Sequence, residues 1–156
     1  MKAISLWEPW ASLMRTGAKT IETRGWYTQY RGEILICAAK GGLSKKELTA
    51  LLYYTHFQAG LLPLIGKPLS DSVVGKHVDI GNLNFGKAVA IVNLVDCIPT
   101  VKMDREEWRE EGQLGDFSPG RYAWITKMVR NDFVPFPIRG RQGLFNVPDS
   151  DLNISF

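Results

Sequence analysis

Cysteine and histidine are scarce in this chain of 156 residues, with two of each, at Cys37, Cys97, His56 and His77. Both cysteines stand inside apolar runs, which makes them buried thiols of a cytoplasmic protein rather than a disulfide framework. Cys37 has no histidine nearby in sequence, so it is not read as a nucleophile. Neither histidine has a partner at metal-ligand spacing, and no metal or other cofactor is expected. No run of about 18 apolar residues occurs, which excludes a membrane-spanning helix and a membrane partner. The opening stretch meets Glu8 and Pro9 too soon to form the core of a signal peptide. The Gly66-Lys67 pair fails as a phosphate loop, because Gly60 lies one position too far back and Pro68 stands where Ser or Thr is needed. Repeats, low-complexity tracts and linkers are missing as well, so residues 1–156 read as one domain of ordinary size.

What is present is a soluble, globular composition, 45% hydrophobic and 22% charged, with a net charge of only +3. The distribution of that charge is uneven. Residues 1–46 carry eight Lys/Arg against three Glu, and residues 120–141 carry five against Asp132 alone. The intervening segments are neutral to acidic. If the two basic segments meet in space they form a positive face, and scattered solvated charges are the competing reading.

Turn formers and apolar spacing predict mixed elements. Leu6 to Gly17 reads as a short helix with Pro9 at its start, Gly17 at its stop, and Trp10, Leu13 and Met14 facing the core. Glu33 to Ala39 reads as a buried strand. Ser44 and Glu47 form a capping box that opens a helix ending near Gly60. Residues 61–86 read as irregular. Lys87 to Ile98 is the clearest strand, and Asp104 with Glu107 predicts a charged helix around Trp108 that stops at Gly112. Arg121 to Met128 reads as a strand, followed by edge strands and turns from Pro135 to Pro148. Strand and helix do not alternate regularly, which disfavours a doubly wound sheet.

The densest chemistry lies in Gly17-Ala18-Lys19-Thr20-Ile21-Glu22-Thr23-Arg24. In an extended segment Thr20, Glu22 and Arg24 project to one side and Ile21 to the other, as a core anchor. Lys19 joins them only if the backbone bends. Were the group partly buried, Glu22 must pair with Arg24 or Lys19, since an isolated buried charge is too costly. A desolvated lysine there is a candidate general base, and Arg24 suits a phosphate. An ordinary hairpin carrying a solvated ion pair is the alternative. Trp26, Tyr27 and Tyr30 follow in a loop with Arg31, where an exposed ring can stack a base for about 1–3 kcal/mol. Arg121-Tyr122 and Arg139-Gly140-Arg141 repeat the mixture of cation with aromatic or glycine. The alternative is barrel packing by the aromatics and turn chemistry for the glycines; the interleaving favours nucleic acid modestly.

At these residues the chain resembles the ASCH (activating signal cointegrator homology) domain family of the PUA-like superfamily. Ile4-Ser5-Leu6-Trp7-Glu8-Pro9-Trp10-Ala11-Ser12-Leu13 is similar to the family's opening. Gly17, Lys19, Glu22 and Arg24 match its G-x-K-x-x-E-x-R signature, and Tyr30-Arg31-Gly32 the next turn. Gly86-Lys87-Ala88-Val89-Ala90, the stretch Gly115 to Trp124, and Gly140 to Phe145 match in order thereafter. The resemblance leaves out a variable helix-loop insertion at about 43–85 and the last few residues.

It implies an α+β fold, a small PUA-like β-barrel decorated by short helices, with RNA or a nucleotide held in a cleft lined by the signature. On that reading Lys19 and Arg24 meet phosphate, Glu22 orients them or accepts from a base edge, and Trp26 or Tyr30 stacks. Arg31, Arg121, Tyr122 and Arg141 complete a basic, aromatic rim for a single strand. A second reading is a metal-independent hydrolase of RNA or a modified nucleoside, a nuclease or amidohydrolase with Lys19 as base and Glu22 as acid. Relatives that hydrolyse acylated cytidines carry Thr three residues after the signature lysine, where this chain has Glu22. A third is a coactivator-like protein-interaction module, for which Leu61 to Ile65 is the candidate apolar patch.

Overall fold

The computed structural model describes residues 1–65, 81, 83–104, 106 and 109–154. Five consecutive positions of strand β3 (Gly32–Ala38), Ile34 to Ala38, are buried, and they place β3 in the middle of the sheet. Ile34, Ile36 and Ala38 join one apolar cluster, while Leu35 and Cys37 join another on the opposite face. Such two-sided burial is why the run shows no polar alternation. Its neighbours are β1 (Lys2–Leu6), which runs parallel to it, and the antiparallel β4 (Lys87–Pro99).

Strand β5 (Tyr122–Arg130) pairs with β4, and β2 (Ile21–Arg24) pairs with β5. The short β7 (Phe145–Asn146) pairs with β1, which completes the order β2-β5-β4-β3-β1-β7. β6 (Phe136–Pro137) lies off this path and pairs with the start of β4. The β4–β5 register shifts between Ile91 and Val92 and again between Leu94 and Asp96. Irregularities of this kind bend a strand and increase its twist. The sheet is strongly curled, a half-barrel of six strands accompanied by three helices, in a mixed α+β fold.

Curling brings strands that are far apart in the sheet order face to face. Three strands separate β2 from β1, yet the Arg24 Nη2 group donates to the Ser5 carbonyl at 2.7 Å. This bond spans the open seam of the half-barrel.

Helix α1 (Trp10–Thr16) packs against the curled sheet through Ala11 and Met14. It stops at Gly17, whose φ of 82° is left-handed and open to glycine at little cost. Pro9 precedes the helix and offers no side-chain acceptor to its first turn. The buried Glu8 carboxylate takes that place, accepting from the Ser12 N–H at 3.0 Å and from the Ser12 hydroxyl. Burial pushes the Glu8 carboxyl above its ordinary value of 4.5, against the opposing hydrogen bonds of Ser12.

The capping box forms as the spacing predicts, with Glu47 N–H donating to Ser44 Oγ and Ser44 N–H to Glu47. The helix it opens ends sooner than expected. α2 (Lys45–Leu51) gives way to a separate α3 (Thr55–Ile65), and Gly60 lies inside the latter. The glycine is there for contact rather than termination. A Cβ at 60 would sit 2.6 Å from Leu13 Cδ2 and 2.9 Å from Ala18 Cβ, so a bare backbone is what lets α3 lie against α1. Residues 61–65, expected to be irregular, continue that helix. Strand β1 was concealed by its length and by the helix that follows it.

Residues 66–80 lie outside the described residues, as do Glu107 and Trp108 of the expected charged helix. Gly112, its expected stop, instead lies within a short 3-10 turn, Glu111–Gln113. Cys37 and Cys97 are free and buried, and burial pushes the Cys37 thiol up to about 12.

Two consequences are measurable. Gly60→Val lowers folding stability by about 1–3 kcal/mol, the usual cost of overpacking, seen as a lower urea midpoint at unchanged slope. Glu8 binds its proton more tightly folded than unfolded, so its contribution is complete below 4.5 and is lost as pH rises through its elevated folded value. Across that window the wild type loses stability relative to Glu8→Gln, and parallel stability–pH curves for the two would contradict the assignment.

Candidate functional site

The seam is where the charged signature comes together. Beyond the Gly17 stop the chain turns back, with the Lys19 N–H bonded to the Leu13 carbonyl. Glu111, from the 3-10 turn, pins the next two residues: its carboxylate accepts from the Thr20 N–H and hydroxyl, each at 2.6 Å, and from the Ile21 N–H at 3.4 Å. Ile21 then enters the core beside Ala123 and Met103. The backbone bend required to bring Lys19 to the same side as Glu22 is present.

Lys19 is only 1% exposed. Its ammonium donates to the Ile21 carbonyl at 2.6 Å and the Leu114 carbonyl at 3.2 Å, and lies 3.6 Å from Glu22 Oε2. Two carbonyls thus accept hydrogen bonds from the ammonium, and the carboxylate balances it as an ion pair. The other carboxylate oxygen, Glu22 Oε1, is 3.5 Å from Arg24 Nε. Arg24 in turn reaches Ser5. Lysine, carboxylate and guanidinium thus form one chain of contacts across the seam. Two buried atoms in it, Ser5 Oγ and Arg24 Nε, have no hydrogen-bond partner.

A cleft of two lobes opens around this chain. The first, of about 660 Å³, is lined by Lys19, Glu22, Arg24, Trp26, Asp116 and Arg121, with Trp10 and Phe57 among its apolar walls. The second, of about 1020 Å³, runs from Arg24 to Lys40, Arg139 and Arg141. Ser5, Trp7, Arg24 and Trp26 line both, so they form the junction.

Cations in the first lobe are matched by acids. Arg121 donates from Nη2 to the Thr23 carbonyl and from Nε to the Asp116 carbonyl, each at 3.0 Å, with the Asp116 carboxylate 3.6 Å away. Hydrogen bonds from the Ser118 hydroxyl and N–H hold the Asp116 carboxyl below its usual range. The rings at the junction are large and wet. Trp26 is 38% exposed and meets the buried Trp124 edge-on at 4.8 Å between centroids, while Trp7 is 53% exposed. Gly42 lies against Trp7, since a Cβ there would sit 2.9 Å from its Cγ.

Of the residues expected at the site, Lys19, Glu22, Arg24, Trp26 and Arg121 line the first lobe and Arg141 lines the second. Tyr30, Arg31 and Tyr122 fall outside the lining of both. The Tyr30 hydroxyl donates to the Glu33 carbonyl, Arg31 donates to the Thr28 and Tyr30 carbonyls and pairs with Asp96, and Tyr122 packs edge-on against Tyr27. Sequence reasoning missed Glu111, which is far from the signature in a run of charges, and gave no cleft role to Ser5, Trp7 or Lys40; Arg139, singled out only within its glycine patch, lines the second lobe. His56 is exposed, and no group of three metal-ligating side chains occurs among the described residues.

The ASCH domain profile matches residues 4–136, from within β1 to the first residue of β6. The chain belongs to the ASCH domain family. Among curated proteins it is similar to activating signal cointegrator 1 of Homo sapiens, 30% identical over 145 residues, and to that of Mus musculus, 29% identical over 145 residues. In both cases the match takes in 92% of this chain and 22% of the relative, so this ASCH chain spans about a fifth of the length of the curated relatives it matches.

The enclosure of Lys19 makes it a structural cation first. Lys19→Met leaves two carbonyls without their donor and Glu22 with only one of its two cations. Stability should fall by roughly 2–3 kcal/mol, less than the ~3–5 of a fully buried pair because Glu22 keeps some solvent contact. Pairing the change with Glu22→Gln recovers part of the loss in a double-mutant cycle by urea unfolding.

Proposed function

We propose that this ASCH domain binds single-stranded RNA or a nucleotide, with the base in the first lobe. The observation that carries the reading is the pairing of half-exposed Trp26 and Trp7 rings with a carboxylate and guanidinium held in fixed positions at one cleft. Large rings left in water at the mouth of a polar cleft are stacking platforms for an unpaired base. Glu22, held from both sides by Lys19 and Arg24, is an acceptor for the amino group of a base edge, and Arg121 is a donor to its carbonyl. Lys19 acts here through Glu22, by holding its carboxylate in place, while Arg24 faces the phosphate. A volume of about 660 Å³ falls in the usual range for small-ligand sites, ~300–1,000 Å³.

Fluorescence anisotropy with a labelled, mixed-sequence single-stranded RNA tests the reading. Affinity falls as salt rises, and Trp26→Ala weakens binding by about 1–3 kcal/mol. Glu22→Gln changes base preference more than affinity. Undetectable binding at low salt, or binding indifferent to both salt and Trp26, would remove the proposal. Intact RNA after long incubation distinguishes a binding module from a hydrolase that uses Lys19 and Glu22.

A further inference from the structure

The two lobes differ in charge, and the difference points to how a ligand lies in them. In the first lobe every cation has an acid partner: Lys19 and Arg24 with Glu22, and Arg121 with Asp116. In the second, Lys40, Arg139 and Arg141 are exposed, have no carboxylate or other hydrogen-bonding partner among the described residues, and share their lining with no acid. Its floor is glycine-rich backbone. A Cβ at Gly140 would lie 2.6 Å from Ser5 Oγ, so glycine is what allows that loop to close over the seam. The main-chain N–H groups of Gly140 to Gly143 donate to no group among the described residues. Cations and main-chain N–H groups without partners among the described residues, in the lining of one concave lobe, suit phosphate oxygens. A carboxylate-lined lobe does not, and suits a base edge.

Building on the proposed binding of RNA or a nucleotide, we infer that the ligand is a strand rather than a mononucleotide. Its base occupies the first lobe, its neighbour stacks at Trp7 and Trp26, and the phosphodiester backbone leaves along Lys40, Arg139 and Arg141. The second lobe is therefore a backbone-tracking subsite. Its volume of about 1020 Å³ takes the pair of lobes beyond what one small ligand fills. Arg24, common to both, sits at the phosphate between the first two nucleotides.

The test compares a nucleoside monophosphate, a dinucleotide, a tetranucleotide and an octanucleotide of RNA as competitors for a labelled octamer, with inorganic polyphosphate as a separate arm. Affinity should rise at least tenfold from mononucleotide to tetranucleotide and level off after that. The triple variant Lys40→Gln/Arg139→Gln/Arg141→Gln should lose that gain, keep its mononucleotide affinity and its melting temperature, and flatten the salt slope by about two, as three lost contacts on a single strand require. A mononucleotide that binds as tightly as the octamer, or a triple variant that matches the wild type, overturns the strand while leaving the nucleotide reading intact. Polyphosphate that competes as well as RNA, with no loss in Trp7→Ala, also overturns it, since the lobe would then read charge alone. Failure of every ligand overturns both proposals.

Discussion

A single buried ammonium organises the seam of this half-barrel. Removing Lys19 from water is costly, and the cost is met by two carbonyls from different parts of the chain and one carboxylate. The consequence is geometric. Because Ile21 and Leu114 both accept from the same nitrogen, β2 and the segment after the 3-10 turn are held at fixed distance, and Glu22 is drawn to the lip between them. Glu22 then orients Arg24, and Arg24 reaches Ser5 on β1. Glu111 reinforces the arrangement from the other side by holding Thr20 and Ile21. The cleft is a by-product of closing a sheet with side chains where backbone pairing stops.

That dependence explains why the signature was legible and its surroundings were not. Ile21 as a core anchor, and Glu22 obliged to pair with Lys19 or Arg24, follow from strand alternation and the cost of isolated charge. β3 and β4 were equally plain, since uninterrupted apolar runs have few alternatives to a central strand. The capping box at Ser44 was readable because it is local. What failed was everything set by distant contact. Gly60 has the local signature of a helix stop, yet its role is decided by Leu13 and Ala18 more than forty positions away. Glu111 looks like one acid among several. Tyr30 and Arg31 sit beside the signature in sequence but turn to the Glu33, Thr28 and Asp96 side of the loop.

The charge distribution is the clearest case of sequence posing a question that only packing answers. Basic residues gather in the first 46 positions and again in 120–141, and nothing in their order says whether the groups meet. The curl of the sheet decides it. Arg24 and Lys40 from the first group face Arg139 and Arg141 from the second across one lobe. A net charge of +3 therefore understates the local field, because the acids are spent elsewhere: Glu22 and Asp116 in the first lobe, Asp96 against Arg31, Glu111 on the backbone. Segregation rather than excess of charge produces the positive surface.

Segregation also constrains what a ligand must look like. A compact anion would settle among the cations of the second lobe, which lack partners among the described residues, and leave the paired lobe and its rings unused. An uncharged nucleoside would do the reverse, filling the acid-lined lobe while Lys40, Arg139 and Arg141 stayed solvated. The strand proposed above, with a flat, hydrogen-bonding group at one end and a row of negative charge leading away from it, would use both lobes through the junction at Trp7 and Trp26. The same logic disfavours a duplex, whose bases are stacked on one another and cannot enter the first lobe without unpairing. On the proposed reading, the fit between a bipartite cleft and a bipartite ligand rests on no single residue but on the contrast between an acid-lined lobe and a basic one.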